Sequence, residues 1–275
     1  MTATLDSHVH LWDRSADPQP WIDPATMPAL DRDFGPGDLE RMLDATGMDA
    51  AVVVQSSNSA GETRRLLAHP APRIAGVVGW IDLTADPARQ LDELEAGASR
   101  PLVSVRHLVH LDPDPGWLAR TAVQAGIGHL GSRGLAFDLV LRWWQLPLAT
   151  SLAGARADVR FVVDHLGGIA DADDTEAWAG NLRDLSRLPN TWAKLSGLAG
   201  LAHRDPDGLR RAVDVALETF GPYRLMYGSD WPLAELGVGA AAWRATAGTL
   251  IAELSPAERT AILSATASVA YRLGR

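Results

Sequence analysis

The sequence has no cysteine, no long apolar run and no excess of basic residues. The lack of cysteine excludes disulfides, thiolate metal ligands and a cysteine nucleophile. No apolar stretch approaches the roughly 20 residues of a membrane span, and the first residues lack the basic and apolar regions of a signal peptide. We therefore expect no membrane partner and a cytoplasmic location.

The formal net charge of -9 leaves no basic stripe that could displace counterions from a phosphate backbone, so nucleic acid is not an expected partner. A hydrophobic fraction of 47% with 21% charged residues is ordinary for a folded protein with a sizeable core. The expected partner is a small-molecule substrate. Oligomeric state does not follow from one sequence.

Eight short runs rich in Val, Ile and Leu alternate with segments that read as helices. Uninterrupted apolar residues, as at 52–54, suit parallel strands buried on both faces. The eight predicted strands lie at residues 4–10, 50–56, 74–81, 102–109, 135–141, 160–167, 190–197 and 224–231.

Helix starts are marked by Asp86-Pro87, by Asp205-Pro206 and by Ser255, which forms a capping box with Glu258. Eight strand and helix alternations within 275 residues predict a single α/β domain spanning residues 1–275, a (β/α)8 TIM barrel. The competing open, doubly wound sheet is disfavoured because no glycine-rich phosphate fingerprint follows the first strand.

Polar side chains stand at the carboxyl ends of the predicted strands, where barrel enzymes place their catalytic groups. His8 and His10 fall on one face of the first strand, a spacing that can hold a metal but also arises by chance. His165 and Asp230 each end an apolar strand and precede a turn. The other strand ends offer Gln55, Trp80, Arg106, His107, Asp138 and Lys194.

Arg106 and His107 point in opposite directions if both lie on a strand. Arg106 is the predicted inward residue, since a guanidinium suits a carboxylate, a lactone carbonyl or an oxyanion. His107 facing outward, and Lys194 forming only a rim salt bridge, are the structural alternatives. The long connection at 11–36, which contains Trp12 and Trp21, is read either as pocket wall or as surface packing.

The order and spacing of several motifs resemble the amidohydrolase superfamily. They include "DSHVHLWD", "AGVVGWIDL", "VRHLVHLDPDPGWL", "FVVDHLGG" and "RLMYGSDWP", and the resemblance runs nearly end to end. The chain is most similar to the amidohydrolase-2 branch, which includes sugar lactonases and 2-pyrone-4,6-dicarboxylate lactonases. The resemblance implies a distorted barrel whose site contains His8, His10, His165 and Asp230.

The sequence departs from the binuclear pattern of the wider superfamily. Strand 4 has no lysine or glutamate, and strand 5 has Asp138 where a histidine is expected, so a two-metal site is not expected. One Zn²⁺ held by His8, His10, His165 and Asp230 is one interpretation. A metal-independent site, as in some lactonases of this branch, is the other.

The resemblance implies a hydrolase that opens a lactone to a hydroxy acid. Asp230 is the expected general base, the histidines polarise the carbonyl with or without a metal, and Arg106 stabilises charge on the oxygen. L-Fuconolactone and L-rhamnonolactone are the expected substrate types. The predicted substrate contacts are Trp12, Trp21, Gln55, Trp80, His107 and Lys194.

Two other classes of function stay open at this point. One is a decarboxylase of an aromatic or unsaturated acid on the same scaffold. The other is a non-catalytic barrel, which the many polar strand ends disfavour.

Overall fold

The computed structural model describes residues 3–274 and contains eight parallel strands in the order β1 to β8. This arrangement confirms the predicted α/β TIM barrel. The strands are β1 Leu5–Val9, β2 Ala50–Val54, β3 Ile74–Gly79, β4 Leu102–Leu108, β5 Ala136–Val140, β6 Arg160–Val163, β7 Thr191–Leu195 and β8 Leu225–Tyr227.

The first and last strands close the barrel through a few contacts rather than a full ladder. Val9 and Trp231 form an isolated parallel bridge. The backbone N–H of His10 donates to the carbonyl of Trp231 at 2.7 Å, and that of Asp230 donates to the carbonyl of His8 at 2.9 Å. The seam of the barrel therefore brings the segments carrying His8, His10 and Asp230 together.

Helices on the outside of the barrel cover the strands, and the predicted caps are confirmed. Asp86 and Asp205 accept hydrogen bonds from backbone N–H groups of the next turn, and Ser255 and Glu258 form the reciprocal capping box. The main helices are Pro36–Thr46, Ala60–Leu67, Pro87–Ala96, Thr121–Ser132, Leu146–Ala155, Thr175–Ser186, Ala199–Arg204, Pro206–Phe220 and Ala240–Leu250.

The C-terminal helical segment covers the amino-terminal ends of the strands. It runs from Pro256–Thr260 through a π-helical turn, Ala261–Ala265, into Thr266–Ala270. Its inner side packs against buried strand residues and Tyr271 follows directly; this cluster includes Leu5, Val52, Val54, Val78, Val162, Met226, Ala267, Ala270 and Tyr271. Apolar packing fills this end, which leaves polar groups to the opposite end.

The strands end before the predicted residue, most clearly β8, which ends at Tyr227; Asp230, beyond it, has a left-handed backbone conformation with φ of 59°. The connection at 11–36 has one short 3₁₀ turn, Pro28–Leu30. No helix within residues 3–274 is long and apolar enough to cross a membrane.

Candidate active site

Three side chains from the two ends of the chain meet in the mouth of the barrel. His8 Nε2 lies 3.2 Å from His10 Nε2, and the two nitrogens lie 3.5 Å and 3.3 Å from Asp230 Oδ1. His8 and His10 are buried, and Asp230 is 6% exposed. The predicted pairing of the strand-1 histidines with the strand-8 aspartate is therefore present in the fold.

His165 completes the group from β6, with Nε2 4.0 Å from Asp230 Oδ1. His165 and Leu166 both have positive φ, 56° and 49°, which is uncommon for residues other than glycine. Gly197 leaves room for the ring, since a Cβ there would lie 2.5 Å from His165 Nδ1. Strain of this kind persists where the surrounding structure fixes it, and it is common at active sites.

The outer nitrogens of the imidazoles have partners that fix the rings. His10 Nδ1 lies 2.8 Å from the carbonyl oxygen of Val54, so Nδ1 carries the proton and Nε2 carries the lone pair. His165 Nδ1 lies 2.9 Å from Ser196 Oγ. Such contacts set the tautomer and the orientation of a ligating histidine.

The inner atoms of this group fit a single metal ion. A tetrahedral site with bonds of about 2.0–2.1 Å has ligand–ligand separations of about 3.3 Å, close to the 3.2–3.5 Å found among His8, His10 and Asp230. Asp230 Oδ1 accepts no hydrogen bond from the described residues and faces the His10 lone pair. Such a set of electron-pair donors is suited to a cation.

Beneath the imidazoles lies a buried network of charges. Lys194 Nζ is 2.9 Å from Asp164 Oδ1, 2.6 Å from Asp138 Oδ2 and 3.1 Å from His8 Nδ1. Asp164 Oδ1 also lies 3.3 Å from His8 Nδ1, and Asp164 Oδ2 accepts from Arg106 at 2.8 Å. With Asp230 included, three carboxylates face two cations, which leaves this region able to balance an added positive charge.

Neutral groups add hydrogen bonds to the network. The hydroxyls of Ser104 and Tyr271 donate to Asp138 at 2.6 Å and 2.7 Å. Arg106 donates to the carbonyl and to the side-chain oxygen of Gln55. Because buried charges are tolerated only when paired and hydrogen-bonded, these contacts account for the survival of the network in the interior.

The environment sets the charge states of the site. Burial, reinforced by the nearby Lys194 charge, holds the pKa of His8 well below its ordinary value, so His8 is neutral. Burial alone would raise the pKa of Asp230, but His165, His10 and His8 together lower it below its ordinary value. Asp230 is therefore ionised at neutral pH.

A cavity of about 420 Å³ opens directly above this group. His10, Arg106, His165 and Asp230 lie in its wall. The remaining wall is mostly apolar and comes from the long connection and from the loops after β4, β5, β6 and β8; it includes Trp21, Met27, Leu108, His110, Leu111, Val140, Arg142, Asp171, Leu233 and Leu236.

Of the six predicted substrate contacts, the structure places only Trp21 in the described wall of the cavity. Trp12 lies behind it, with ring centroids 5.9 Å apart and perpendicular. Gln55 and Lys194 are fully buried below the cavity and hold Arg106 and Asp164. Both side chains point into the barrel, but the sequence does not specify how far below the cavity they lie.

Trp80 and His107 lie outside the cavity wall. His107 points away from the barrel axis and stacks on Trp117 with ring centroids 3.8 Å apart, while Trp80 Nε1 donates to its Nδ1. This orientation agrees with the structural alternative for His107, and it agrees with Arg106 as the inward residue.

Several residues of the network and of the cavity wall have no role in the sequence prediction. Asp164 lies beside His165 at the end of the sixth predicted strand, but strand alternation predicts that the two side chains point in opposite directions. Tyr271 reaches Asp138 from the far end of the chain and carried no local signal. Arg142 is a polar residue at the end of the fifth predicted strand, and His110 could have been found from its loop position after the fourth.

The fold and the site together define a TIM barrel with one carboxylate and three imidazoles around a single cation-sized position. The chain belongs to the amidohydrolase family, and the sequence model of that family matches residues 5–273. This match confirms the predicted family.

Within this family, the chain is similar to two named lactonases and to a solved amidohydrolase structure. An L-fucono-1,5-lactonase of Burkholderia multivorans is 36% identical, with 98% of this chain and 96% of that protein covered. An L-fucono-1,5-lactonase of Burkholderia ambifaria is 34% identical over 86% of this chain and 82% of that protein. A crystal structure of an amidohydrolase from Burkholderia multivorans with bound zinc has a TM-score of 0.90 and 33% identity, covering 98% of this chain and 99% of that one.

Proposed function

We propose that the protein hydrolyses a sugar lactone to its hydroxy acid, with L-fucono-1,5-lactone as the leading substrate and L-rhamnonolactone as the second. The observation that carries the proposal is an ionised carboxylate, Asp230, held among three imidazoles in the wall of a cavity of about 420 Å³. The two lactonase relatives support the same substrate class.

The arginines of the cavity favour a neutral lactone over a dicarboxylate. Arg106 is committed to Asp164 and Gln55, and Arg142 is paired with Asp171 at 3.3 Å. Two substrate carboxylates would lie against guanidinium groups whose charge is already balanced by Asp164 and Asp171. A hydroxylated ring needs only hydrogen bonds and van der Waals contact with the wall.

In the proposed mechanism, Asp230 is the general base. It takes a proton from the attacking water and passes it to the alkoxide that leaves when the ring opens, which yields the product hydroxyl. Its low pKa keeps it ionised and ready to accept that proton at neutral pH.

Arg106 supplies fixed positive charge near the carbonyl oxygen. It lies in the cavity wall, and its contacts with Asp164 and Gln55 hold the guanidinium in place. Charge positioned in advance stabilises the developing oxyanion without reorganisation during the reaction. Gln55, Asp164 and Lys194 then act as positioning residues.

A Zn²⁺ ion is part of the proposal. His8, His10, His165 and Asp230 would hold it, and when bound it supplies a Lewis acid that polarises the ester. We also propose a cytoplasmic location and a role in carbohydrate metabolism, in line with the substrate class.

A pH-indicator assay tests the proposal, because lactone opening releases a proton. The purified protein is assayed with L-fucono-1,5-lactone, L-rhamnonolactone and 2-pyrone-4,6-dicarboxylate, before and after chelation and after Zn²⁺ or Mn²⁺ is restored. We expect turnover of a sugar lactone, loss on chelation and recovery with Zn²⁺. Unchanged turnover after chelation would contradict the zinc part, and CO₂ release from an aromatic acid without lactone turnover would contradict the function.

A further inference from the structure

One histidine in the cavity wall has no partner within the described protein. His110 lies in the short turn Val109–Leu111 that follows β4, and its ring forms part of the wall. The ring makes no hydrogen bond to any residue between 3 and 274, and its Nδ1 is buried without a partner. A buried polar atom without a partner is costly and is uncommon without a functional reason.

The position of His110 restricts which ligand atoms it can meet. Nδ1 is closed off from solvent, which leaves Nε2 as the nitrogen that a molecule in the cavity can reach. Arg106 and Arg142 place positive charge near it, and Asp164 is the carboxylate in range. Burial, together with Arg106, lowers the pKa of His110 to about 3, so the ring is neutral in ordinary buffers.

A neutral imidazole can donate or accept one hydrogen bond at Nε2, depending on the tautomer. A hydroxyl is the ligand group that matches both possibilities, because it too can donate or accept. The neighbouring wall residues Leu108, Leu111 and Val140 offer no hydrogen bond from their side chains. Arg142, which also lies near His110 in the wall, is paired with Asp171, so a hydroxyl bound at this side of the cavity would depend on His110 for a hydrogen-bonding group without a partner.

Resting on the proposed lactonase function, we infer that His110 is a specificity-determining residue that binds a ring hydroxyl of the lactone. It selects polyhydroxylated lactones over unsubstituted ones and takes no part in proton transfer. A site built to hydrogen-bond a hydroxyl discriminates against the analogue that lacks it.

The test compares a sugar lactone with δ-valerolactone, which has the same ring and no hydroxyl. His110→Leu removes the hydrogen bond, His110→Gln keeps an amide that can replace it, and His129→Leu is the control, since His129 is an exposed histidine on the helix Thr121–Ser132. Each variant is assayed for kcat and KM on both lactones.

We expect His110→Leu to lose about 10- to 100-fold in kcat/KM on the sugar lactone and less than twofold on δ-valerolactone. His110→Gln should recover part of the loss, and His129→Leu should match the unmodified protein on both. Equal losses on both lactones, or no loss on either, would overturn the role of His110. A protein that opens neither lactone before mutation would instead overturn the proposed function.

Discussion

The molecule contains two histidine–aspartate clusters at the carboxyl end of the barrel, and they differ in what is left unpaired. In the inner cluster, His10 Nε2 lies 3.3 Å from Asp230, whose Oδ1 accepts no hydrogen bond from the described residues. In the outer cluster, His107 Nε2 lies 2.8 Å from Asp112. Both clusters place an imidazole beside a carboxylate, and the contact is shorter in the outer cluster.

The outer cluster is saturated. His107 Nδ1 accepts from Trp80, Nε2 faces Asp112 and Asn58, and the ring stacks on Trp117. In the inner cluster, the Nε2 atoms of His8 and His10 face each other and Asp230 Oδ1 at the floor of the cavity. A histidine whose two ring nitrogens both have hydrogen-bond partners stabilises the fold. A histidine with a lone pair that accepts no hydrogen bond, beside a carboxylate oxygen without a partner, can bind a cation or a substrate.

The largest expected effect on kcat comes from removing the negative charge of the aspartate in the inner cluster, whereas the same change in the outer cluster should leave kcat unchanged. Asp230→Asn should lower kcat by about 10²–10⁴-fold, because the amide cannot accept the water proton. Asp112→Asn is the matched control and should keep the rate. The measurement is kcat with bound metal determined for each variant, and near-normal turnover by Asp230→Asn would remove it from the mechanism.

The second prediction concerns the space that admits His165. Gly197→Ala places a Cβ 2.5 Å from His165 Nδ1 at a residue with φ of +66°. Displacing the ring should cost roughly 10- to 100-fold in kcat/KM, since small misplacements of a reacting group are expensive.

Gly47→Ala is the control for backbone strain. Gly47 has the same φ of +66° with no atom within 4 Å of the added Cβ. Both variants should lose about 1 kcal/mol of stability from the left-handed conformation, measured by urea unfolding. Equal activity in the two variants would show that His165 tolerates displacement.

The comparison also shows which parts of the site the sequence could predict. The alternation of side chains along a strand predicts that Arg106 and His107 point in opposite directions. The carboxyl ends of β1, β6 and β8 converge in any barrel of this strand order, which predicts that the side chains at those ends lie together: His8, His10, His165 and Asp230. Depth along a strand is not predictable from the sequence, which is why Lys194 and Gln55 are predicted as substrate contacts although both lie buried below the cavity. The contact of Tyr271 with Asp138 depends on how the C-terminal helical segment packs, and no local pattern encodes it.

A third prediction uses the pH dependence of stability. The pKa of His110 is about 3 in the native protein, and 6.5 is its ordinary value. Below pH 6.5 the unfolded chain takes up a proton that native His110 does not, so the native state loses stability as pH falls toward 3. At pH 5 this amounts to about 2 kcal/mol, at 1.36 kcal/mol per pH unit.

His110→Gln removes that titration. Its free energy of unfolding should therefore fall less than that of the unmodified protein between pH 7 and pH 5, as measured by urea denaturation at each pH. Identical slopes would mean that His110 binds its proton as readily in the native state as in the unfolded chain.

The smallest effect is expected from Asp112→Asn, and it tests whether saturation makes the outer cluster purely structural. The amide keeps the shape of the side chain but weakens the contact with His107 Nε2, so the free energy of unfolding should fall by about 1 kcal/mol. Because His107 points away from the cavity, kcat/KM should stay within about twofold of its original value. A large fall in kcat at unchanged stability would mean that the outer cluster takes part in the reaction. The presence or absence of hydrogen-bond partners on the histidine nitrogens would then no longer identify the active site in this barrel.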